Sequence, residues 1–409
     1  MSPTCIGFVR RLGLGLMAAA LVAFPQQITH EVRVVNIEVP VRVFDGPLAV
    51  QDLTIGDFEV YEDGVLQDIQ AVYFIKSSVV ERREEKSAFL PNTARNFFLF
   101  FQVYTWNPKL ESAIRYFVNN VMRPSDNLTV VTSANLYRLK KEWLAKSSKE
   151  ETADRLAEIV RRDTLVGNTE YRSILEELKR MMTGGRVDGT GEAQPDLELF
   201  GEGSWSEFLM NYRDLRERLE QIRSLDPERL ITFAEYLKKM DGQKDVLIFY
   251  QREFMPTLDS KKYIGLFEDG TDFIVEQDFK DLFDLYKRDS KIDAKKIKRI
   301  FSDASISIHF LFMTSAPDKA GLLGEAEMEE HSEDIFQPFL EMAKATGGLA
   351  ESSANPSSMM KKAGEALENY YLLYYTPKNT APDGKFREIR IAVKGKSYRV
   401  LHRAGYFAK

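Results

Sequence analysis

From Arg95 onward, short apolar segments alternate with amphipathic segments. Four of them are almost purely apolar and have the length of β-strands: "FFLFFQV", "NLTVVTSA", "DVLIFY" and "SISIHFLF". Strands of this kind are typical of a parallel sheet that is covered by helices on both faces. Between the second and third strands, "EFLMNYRDLRERLEQIRSL" repeats apolar residues at helical spacing and predicts one buried helical face. The sequence therefore predicts an α/β domain.

Both ends of the chain have strand patterns instead. Residues Val35 to Val43, "VNIEVPVRV", alternate apolar and polar side chains, and Pro40 within them predicts an edge strand. "DFEVYEDGVLQDI" predicts a hairpin that turns at Asp63 and Gly64. Three further strand segments close the chain: "NYYLLYYTP", "KFREIRIAV" and "SYRVLHRAGYF". Neither end is long enough to bury a core, so we expect the two ends to form one β-sandwich around an inserted α/β domain.

A chain of 409 residues, with 44% hydrophobic and 29% charged residues, has the composition of a globular protein of two or three domains. We read "ERREEKS", after the first strands, as a solvated linker. The predicted organisation is a signal peptide (1–25), the first sandwich part with its linker (30–90), the α/β domain (91–368) with inserts near 184–205 and 251–300, and the second sandwich part (369–409).

The amino terminus predicts export. Arg10 and Arg11 precede the uncharged apolar run "LGLGLMAAALVAF", which is too short to span a bilayer comfortably. We expect a cleaved signal and a secreted or periplasmic protein with no membrane insertion after cleavage; an uncleaved anchor is the alternative. The formal net charge of −6 becomes −8 once these two arginines are removed, which argues against nucleic-acid binding. Cys5 is the only cysteine, so the mature chain would lack thiol ligands, thiol nucleophiles and disulfides.

Five separated segments carry a resemblance to a known family: "LTIGDFEVYEDGVLQDI", the sheet that begins at "NFFLFF", "GQKDVLIFY", "MAKATGGLA", and "YYLLYYTPKNTAPDGKFREIRIAV" with "RAGYFA". Together they resemble the bacterial VWFA-related domain, a secreted branch of the von Willebrand factor type A fold, over about residues 31–409. The resemblance implies a Rossmann-like sheet with flanking β-structure. It also implies a role in binding rather than in catalysis.

Type A domains commonly hold a divalent ion at the carboxyl edge of the sheet, with Asp-x-Ser-x-Ser after the first strand, a Thr on a second loop and an Asp after a later strand. By resemblance, the first motif falls here on Gln102, Tyr104 and Trp106, the Thr on Thr169 and the later Asp on Gln251. Mg²⁺ needs hard oxygen ligands that include carboxylates. The positions that match contain no carboxylate, so we expect neither a metal ion nor a cofactor.

These same five residues are the predicted contact site for a protein partner, an envelope or extracellular protein of unknown identity. Tyr and Trp are residue types that often anchor interfaces. Two alternatives stay open for this edge: Tyr104 and Trp106 pack under a neighbouring loop, and Thr169 is an ordinary helix cap.

No catalytic residue is predicted, because the sequence contains neither a Gly-x-Ser-x-Gly elbow nor a phosphate-binding glycine loop. The four histidines are scattered and do not have metal-ligand spacing. The alternative function is a hydrolase or carbohydrate-active protein that uses carboxylates of an insert, such as Asp269, Asp272 and Glu276.

Overall fold

Strands and helices of the protein were located in a computed structural model, which describes residues 36–183, 202–223, 227–257, 293–315 and 327–408. The predicted signal peptide and most of both predicted inserts lie outside these residues. The structure is of the mixed α/β class.

Eighteen strands are present in the described ranges. In chain order they are β1 (Ile37–Asp45), β2 (Leu48–Ala49), β3 (Phe58–Glu62), β4 (Val65–Gln67), β5 (Ile69–Lys76), β6 (Val79–Glu85), β7 (Arg95–Gln102), β8 (Asn127–Thr132), β9 (Leu136–Leu139), β10 (Gln243–Gln251), β11 (Phe254–Thr257), β12 (Ile306–Met313), β13 (Glu327–Glu330), β14 (Ala350–Ser353), β15 (Asn369–Tyr375), β16 (Phe386–Val393), β17 (Arg399–His402) and β18 (Gly405–Phe407).

The same ranges contain nine α-helices. They are α1 (Pro108–Tyr116), α2 (Lys141–Lys146), α3 (Lys149–Gly167), α4 (Thr169–Thr183), α5 (Glu202–Arg223), α6 (Pro227–Lys238), α7 (Ala294–Asp303), α8 (Glu333–Ala345) and α9 (Pro356–Glu368). None of these helices is both long and apolar enough to span a bilayer.

The central sheet has the strand order β14-β12-β10-β7-β8-β9. All neighbouring pairs are parallel except β8 with β9, which is antiparallel. Counted along the chain within this sheet, the order is 6-5-4-1-2-3, the arrangement of a doubly wound sheet with its first strand in the middle. All four apolar segments of the sequence analysis are strands of this sheet.

Helices cover both faces of the central sheet. The core on one face joins α1, α3 and α9 to alternate residues of β7, such as Phe97 and Leu99. The core on the other face joins α6, α7 and α8 to Phe98 and its neighbours. The predicted apolar face of α5 is buried at Tyr212, Leu215 and Leu219, whereas its last member, Ile222, is exposed.

Two further sheets combine strands from the two ends of the described chain. One has the order β17-β1-β15-β5-β6, with β2 paired to β1, and the other has the order β18-β16-β3-β4. A shared apolar core lies between them, with β1, β3, β5, β15 and β16 all contributing. The amino-terminal and carboxyl-terminal strands therefore pack together, as the sequence analysis expected. The predicted hairpin is also present: Asp63 and Gly64 turn between β3 and β4 with positive φ angles of 48° and 81°.

Three details of the flanking sheets differ from expectation. First, β1 is an inner strand, paired on both sides; its pairing with β17 begins only at Val41, so Pro40 lies just outside that ladder. Second, most of "ERREEKS" belongs to strand β6 and is not a linker. Arg82 and Glu84 face the half-buried side of β6, where Arg82 donates to the Gln51 carbonyl and Glu84 accepts from the Ile55 amide.

The third difference concerns the last strand segment. The sequence suggested one strand in "SYRVLHRAGYF", but the structure divides it between β17 and β18, which belong to different sheets. Arg403 lies at the crossing point and is buried, and its guanidinium donates to the Glu38 carbonyl and the Ser305 hydroxyl. These bonds hold the segment where the chain changes sheets.

A buried polar cluster joins the flanking sheets to the central sheet. Arg42, from β1, donates to Asp245 of β10 at 3.1 Å and to the Gly347 carbonyl at 3.0 Å. His309, fully buried in β12, lies with Nε2 3.3 Å from the same Asp245 oxygen, and its Nδ1 accepts from the Leu349 amide. Burial lowers the pKa of His309 below its usual value, although the Asp245 hydrogen bond opposes the shift.

Candidate functional site

The central sheet reverses its winding direction between β7 and β10. After β7 the chain moves to β8 on one side, whereas after β10 it continues to β12 on the other. Ligands of open α/β sheets bind in the crevice that such a reversal leaves at the carboxyl ends of the strands. In the parallel register, Gln102 lies opposite Tyr250, so Gln102 and Gln251 reach this crevice together.

Gln251 ties the two strand ends together. Its amide oxygen accepts hydrogen bonds from the backbone N–H groups of Tyr104 at 2.9 Å and Thr105 at 3.1 Å. Its amide nitrogen donates to the Thr105 hydroxyl at 2.7 Å. The Gln251 side chain therefore lies between the two strand ends and provides the hydrogen-bond acceptor for two backbone N–H groups of the loop after β7. This role was not predicted from the sequence.

Tyr104 lies inside the protein, with only 6% of its surface exposed. Its ring stacks on Tyr171 of α4, with the ring centroids 4.1 Å apart. Its hydroxyl donates to Glu253, which also accepts from Tyr250. Tyr104 therefore does not offer its ring to a partner. It packs inside the protein, as in the alternative, but against helix α4 rather than under a loop. Stacking against Tyr171 removes the ring from solvent.

Glu253 is the buried acid that the sequence analysis missed. It follows β10 by two residues and is only 1% exposed. Besides accepting from two tyrosine hydroxyls, it has a backbone N–H 3.4 Å from the hydroxyl of Ser332, at the start of α8. The sequence analysis placed Glu253 within an insert. The one feature of the sequence that could have indicated Glu253 is its position, three residues after the apolar run of β10 ends.

Thr169 begins α4 and is exposed. Its hydroxyl is 2.8 Å from the Val166 carbonyl and 3.3 Å from that of Leu165, so it bonds back to the end of α3. The residue that reaches the β7 loop is its neighbour Asn168, which is buried and donates to the Val103 carbonyl at 2.8 Å. The contact between this turn and the crevice is therefore made by Asn168.

Trp106 and Gln102 are both half-buried. Trp106 packs against the core on the α1 face, and the following residue, Asn107, caps α1 by accepting from the Lys109 amide. Gln102 donates to the Tyr104 hydroxyl at 3.3 Å. The structure thus brings Gln102, Tyr104 and Gln251 together by hydrogen bonds, whereas the Thr169 hydroxyl bonds to α3.

Asp163 forms a second polar cluster, beside the end of β8. Its buried carboxylate accepts from Thr132 at 2.7 Å, Tyr137 at 2.8 Å, Asn135 at 3.2 Å and the adjacent Arg162 at 3.1 Å. Burial alone would raise the pKa of this carboxyl, but these hydrogen bonds outweigh it and hold the pKa below its usual value. The cluster fixes the β8–β9 turn against α3.

Apart from the Gln102 amide oxygen, the side-chain oxygen atoms described at the crevice are already engaged. Gln251 accepts two backbone N–H groups, Glu253 accepts two phenol hydroxyls, and Thr169 bonds to α3. A divalent ion bound there would have to displace these partners as well as lose its own water. Across the described ranges, no group of three or more His, Cys, Asp or Glu side chains has the arrangement of a metal site.

What remains exposed at this edge is the end of α3 and the loop after β7. Leu165 and Val166 are apolar side chains with 43% and 65% of their surface exposed. Together with Trp106 and Thr169, they form what we call the edge surface. Asp269, Asp272 and Glu276, the carboxylates of the alternative hydrolase prediction, lie outside the described residues.

Comparisons with known proteins add little. No family model matches the chain, and no curated protein matches it. Among solved structures, it is similar to the human COPII-coat protein Sec24c, with a TM-score of 0.30 and 8% sequence identity. The match covers 77% of this chain and 44% of that one, so the chain spans less than half of the Sec24c chain. A likeness of this strength assigns neither a fold family nor a function.

Proposed function

We propose that this chain is an exported, non-enzymatic binding or scaffold protein of the cell envelope, with a type A-like domain between two halves of a β-sandwich. In this proposal it belongs with the bacterial VWFA-related proteins and binds a protein partner at the edge surface without a metal ion. One observation carries the proposal: the crevice at the winding reversal is closed by the hydrogen bonds of Gln251 and Glu253.

A closed crevice favours binding over catalysis. An enzyme of this architecture needs an open cleft between the strand ends for its substrate and catalytic groups. Here Tyr104 is stacked on Tyr171 in that position, and the Gln251 amide bridges the two strand ends. The closed crevice stiffens the loop that carries Trp106, and a rigid loop loses little conformational entropy when it binds a partner.

The family assignment has two kinds of support. The sheet order is that of a Rossmann-like sheet, which the resemblance implies. In addition, Gln102 and Gln251, which the resemblance aligns with the two acidic positions of a type A metal site, come from adjacent strands at the same edge. Because amides occupy both positions, the proposed adhesion site is a degenerate one.

The partner is proposed to be a protein, because the edge surface exposes large apolar side chains. Leu165 and Val166 expose aliphatic side chains at the end of α3, where Asn168 bonds to the Val103 carbonyl at the start of the loop that carries the half-buried Trp106. Apolar side chains next to an aromatic anchor are a common composition for the centre of a protein interface. A charge placed at Val166 would lose its water in such an interface, which costs well over tenfold in affinity.

The test is capture of envelope proteins by the tagged mature chain. The unmodified chain, Val166→Asp and the control Val79→Asp are compared after chemical cross-linking. Val79 is a fair control because it is 61% exposed, against 65% for Val166, and lies in β6 of the sandwich. We expect a partner to be retained by the unmodified chain and by Val79→Asp, and to be lost with Val166→Asp and with Trp106→Ala.

A second readout separates the metal-free site from a metal-dependent one. The captured partner should stay bound during washing with EDTA, because no ion takes part in the contact. Identical capture by all variants would contradict binding at the edge surface. Release by EDTA would contradict the metal-free part of the proposal.

A further inference from the structure

An apolar cavity of about 150 Å³ lies between the central sheet and helices α6, α7 and α8. Its described walls are rich in aromatic side chains: Phe100, Phe233, Phe301, Phe339 and Tyr250. It is reachable from outside, because Phe100, Val131, Leu230 and Phe233 are only half-buried. The cavity reaches the end of β7 at Gln102. It lies on the face of the central sheet that α6, α7 and α8 cover, whereas α3 covers the other face.

The polar groups that line the cavity are few. The Tyr250 hydroxyl donates to Glu253, and the Thr132 hydroxyl lies 2.7 Å from the Asp163 carboxylate. Gln102 uses its amide N–H on the Tyr104 hydroxyl, and its amide oxygen accepts no hydrogen bond from the part of the chain that the structure describes. The Gln102 amide oxygen is therefore an acceptor that a ligand can use, and no charged side chain is among the described lining residues of the cavity.

Size and wall chemistry together define a ligand class. An apolar cavity of this volume accepts a ring the size of benzene. Aromatic walls favour an aromatic ligand, because edge-to-face and offset-stacked rings attract each other. A charged ligand would lose its hydration without gaining a partner. One acceptor at the wall selects for one O–H or N–H donor on the ring.

We propose that this cavity binds a small, neutral aromatic molecule that carries a single hydrogen-bond donor, of which phenol is the simplest example. Its ring packs against the edge-to-face pair of Phe100 and Phe233, whose ring centroids are 5.3 Å apart, and its hydroxyl donates to the Gln102 amide oxygen. This proposal does not rest on the proposed partner binding, because neither Leu165 nor Val166 lines the cavity.

The test titrates phenol, toluene and benzoate into the mature chain by isothermal calorimetry, with ligand-observed NMR as a second measurement. We expect phenol to bind at one site with a dissociation constant on the order of 1 mM or below. Toluene should bind about threefold to tenfold more weakly, because it lacks the donor. Benzoate should show no saturable binding.

Two substitutions locate the ligand. Val131→Phe adds volume at the half-buried wall and should weaken phenol binding at least tenfold, whereas Val79→Phe, on the sandwich, should leave it unchanged. Should Val131→Phe fail to fold, Leu230→Trp fills the cavity from the helix side. Gln102→Met keeps the length of the side chain but removes the acceptor, so it should weaken phenol binding and leave toluene binding unchanged.

Specific outcomes would overturn the proposal. Absence of saturable phenol binding to the unmodified chain, or equal binding to the cavity-filling variants, would show that the cavity is not the site. Equal affinities for phenol and toluene, or an unchanged phenol affinity in Gln102→Met, would refute recognition of the donor by Gln102. The edge-surface variant Val166→Asp should bind phenol normally, which separates failure here from failure of the proposed function.

Discussion

Replacing Gln251 by leucine should release the loop that follows β7. The substitution keeps a side chain of similar size but removes three hydrogen bonds, two from the backbone N–H groups of Tyr104 and Thr105 and one to the Thr105 hydroxyl. Gln251→Glu is the matched variant, because its carboxylate can still accept both N–H groups and the Thr105 hydroxyl can turn to donate to it. Only the leucine variant should loosen the loop.

The size of the effect follows from burial. Thr105 is exposed, so water can replace its two lost bonds at almost no cost. Tyr104 is 6% exposed, so its N–H would be left with poor access to water, which costs about 1–3 kcal/mol. We therefore expect Gln251→Leu to lower the free energy of loop opening by about 2 kcal/mol, which corresponds to roughly a 30-fold change in an equilibrium constant.

Amide hydrogen exchange measures this opening directly. Exchange in the peptide that contains Tyr104 and Thr105 should become roughly 30-fold faster in Gln251→Leu, with little change in Gln251→Glu. Peptides from β5 and β15, in the sandwich, serve as internal references and should exchange as in the unmodified chain. The reasoning would be refuted if both variants exchanged alike, or if the leucine variant left this peptide unchanged.

Three further predictions address the metal, the buried histidine and the packing of one glycine. Calorimetry with Mg²⁺ or Mn²⁺ should show no site that Thr169→Ala removes, and EDTA should leave the melting temperature unchanged, because Gln251 and Thr169 use their oxygens in other hydrogen bonds and the matching positions hold no carboxylate. Stability should fall as the pH drops below about 6.5, by up to about 1.4 kcal/mol per pH unit from His309 alone, since the unfolded histidine takes up a proton that the folded one resists. Urea denaturation at pH 7.5 and 5.5 should show that His309→Gln, which retains a donor for Asp245, reduces this dependence; an unchanged slope would contradict it. Gly348→Ala should cost about 3 kcal/mol or more in the same assay, because its Cβ would lie 1.9 Å from the Ile308 carbonyl oxygen. Gly56→Ala has its nearest neighbour at 3.7 Å and should be nearly neutral, so equal stabilities for the two variants would refute the packing argument.

The central sheet could be predicted from the sequence because its strands are unusually apolar. β10 and β12 are buried along almost their whole length, so each appears in the sequence as a continuous apolar run. Such runs are easily told from the amphipathic pattern of the flanking helices. The convergence of Gln102 and Gln251 also follows from the sequence, once both strands are taken as parallel neighbours. Parallel strands present their carboxyl ends at one edge of the sheet.

The burial of Tyr104 could not be predicted in the same way. It depends on Tyr171, from a helix distant in sequence, and on Glu253, which the sequence analysis placed in an insert. Neither contact leaves a local signal in "QVYTW". Strand β6 was missed for a different reason: its charged residues suggest a solvated segment. In the structure, Arg82 and Glu84 form hydrogen bonds to backbone groups along an edge strand. Charged residues on an edge strand also discourage pairing with other chains.

The two ends of β10 contact different parts of the protein, and this separation is relevant to the proposed scaffold role. Near its amino end, Asp245 receives Arg42 from the sandwich, and truncating one partner of so buried an ion pair costs about 3–5 kcal/mol. At its carboxyl end, about 20 Å along the strand, Gln251 closes the crevice next to the edge surface. A partner bound at Val166 would therefore leave the Arg42 contact undisturbed. In the proposed scaffold role, the ion pair that joins β1 to the central sheet is thus separate from the partner contact.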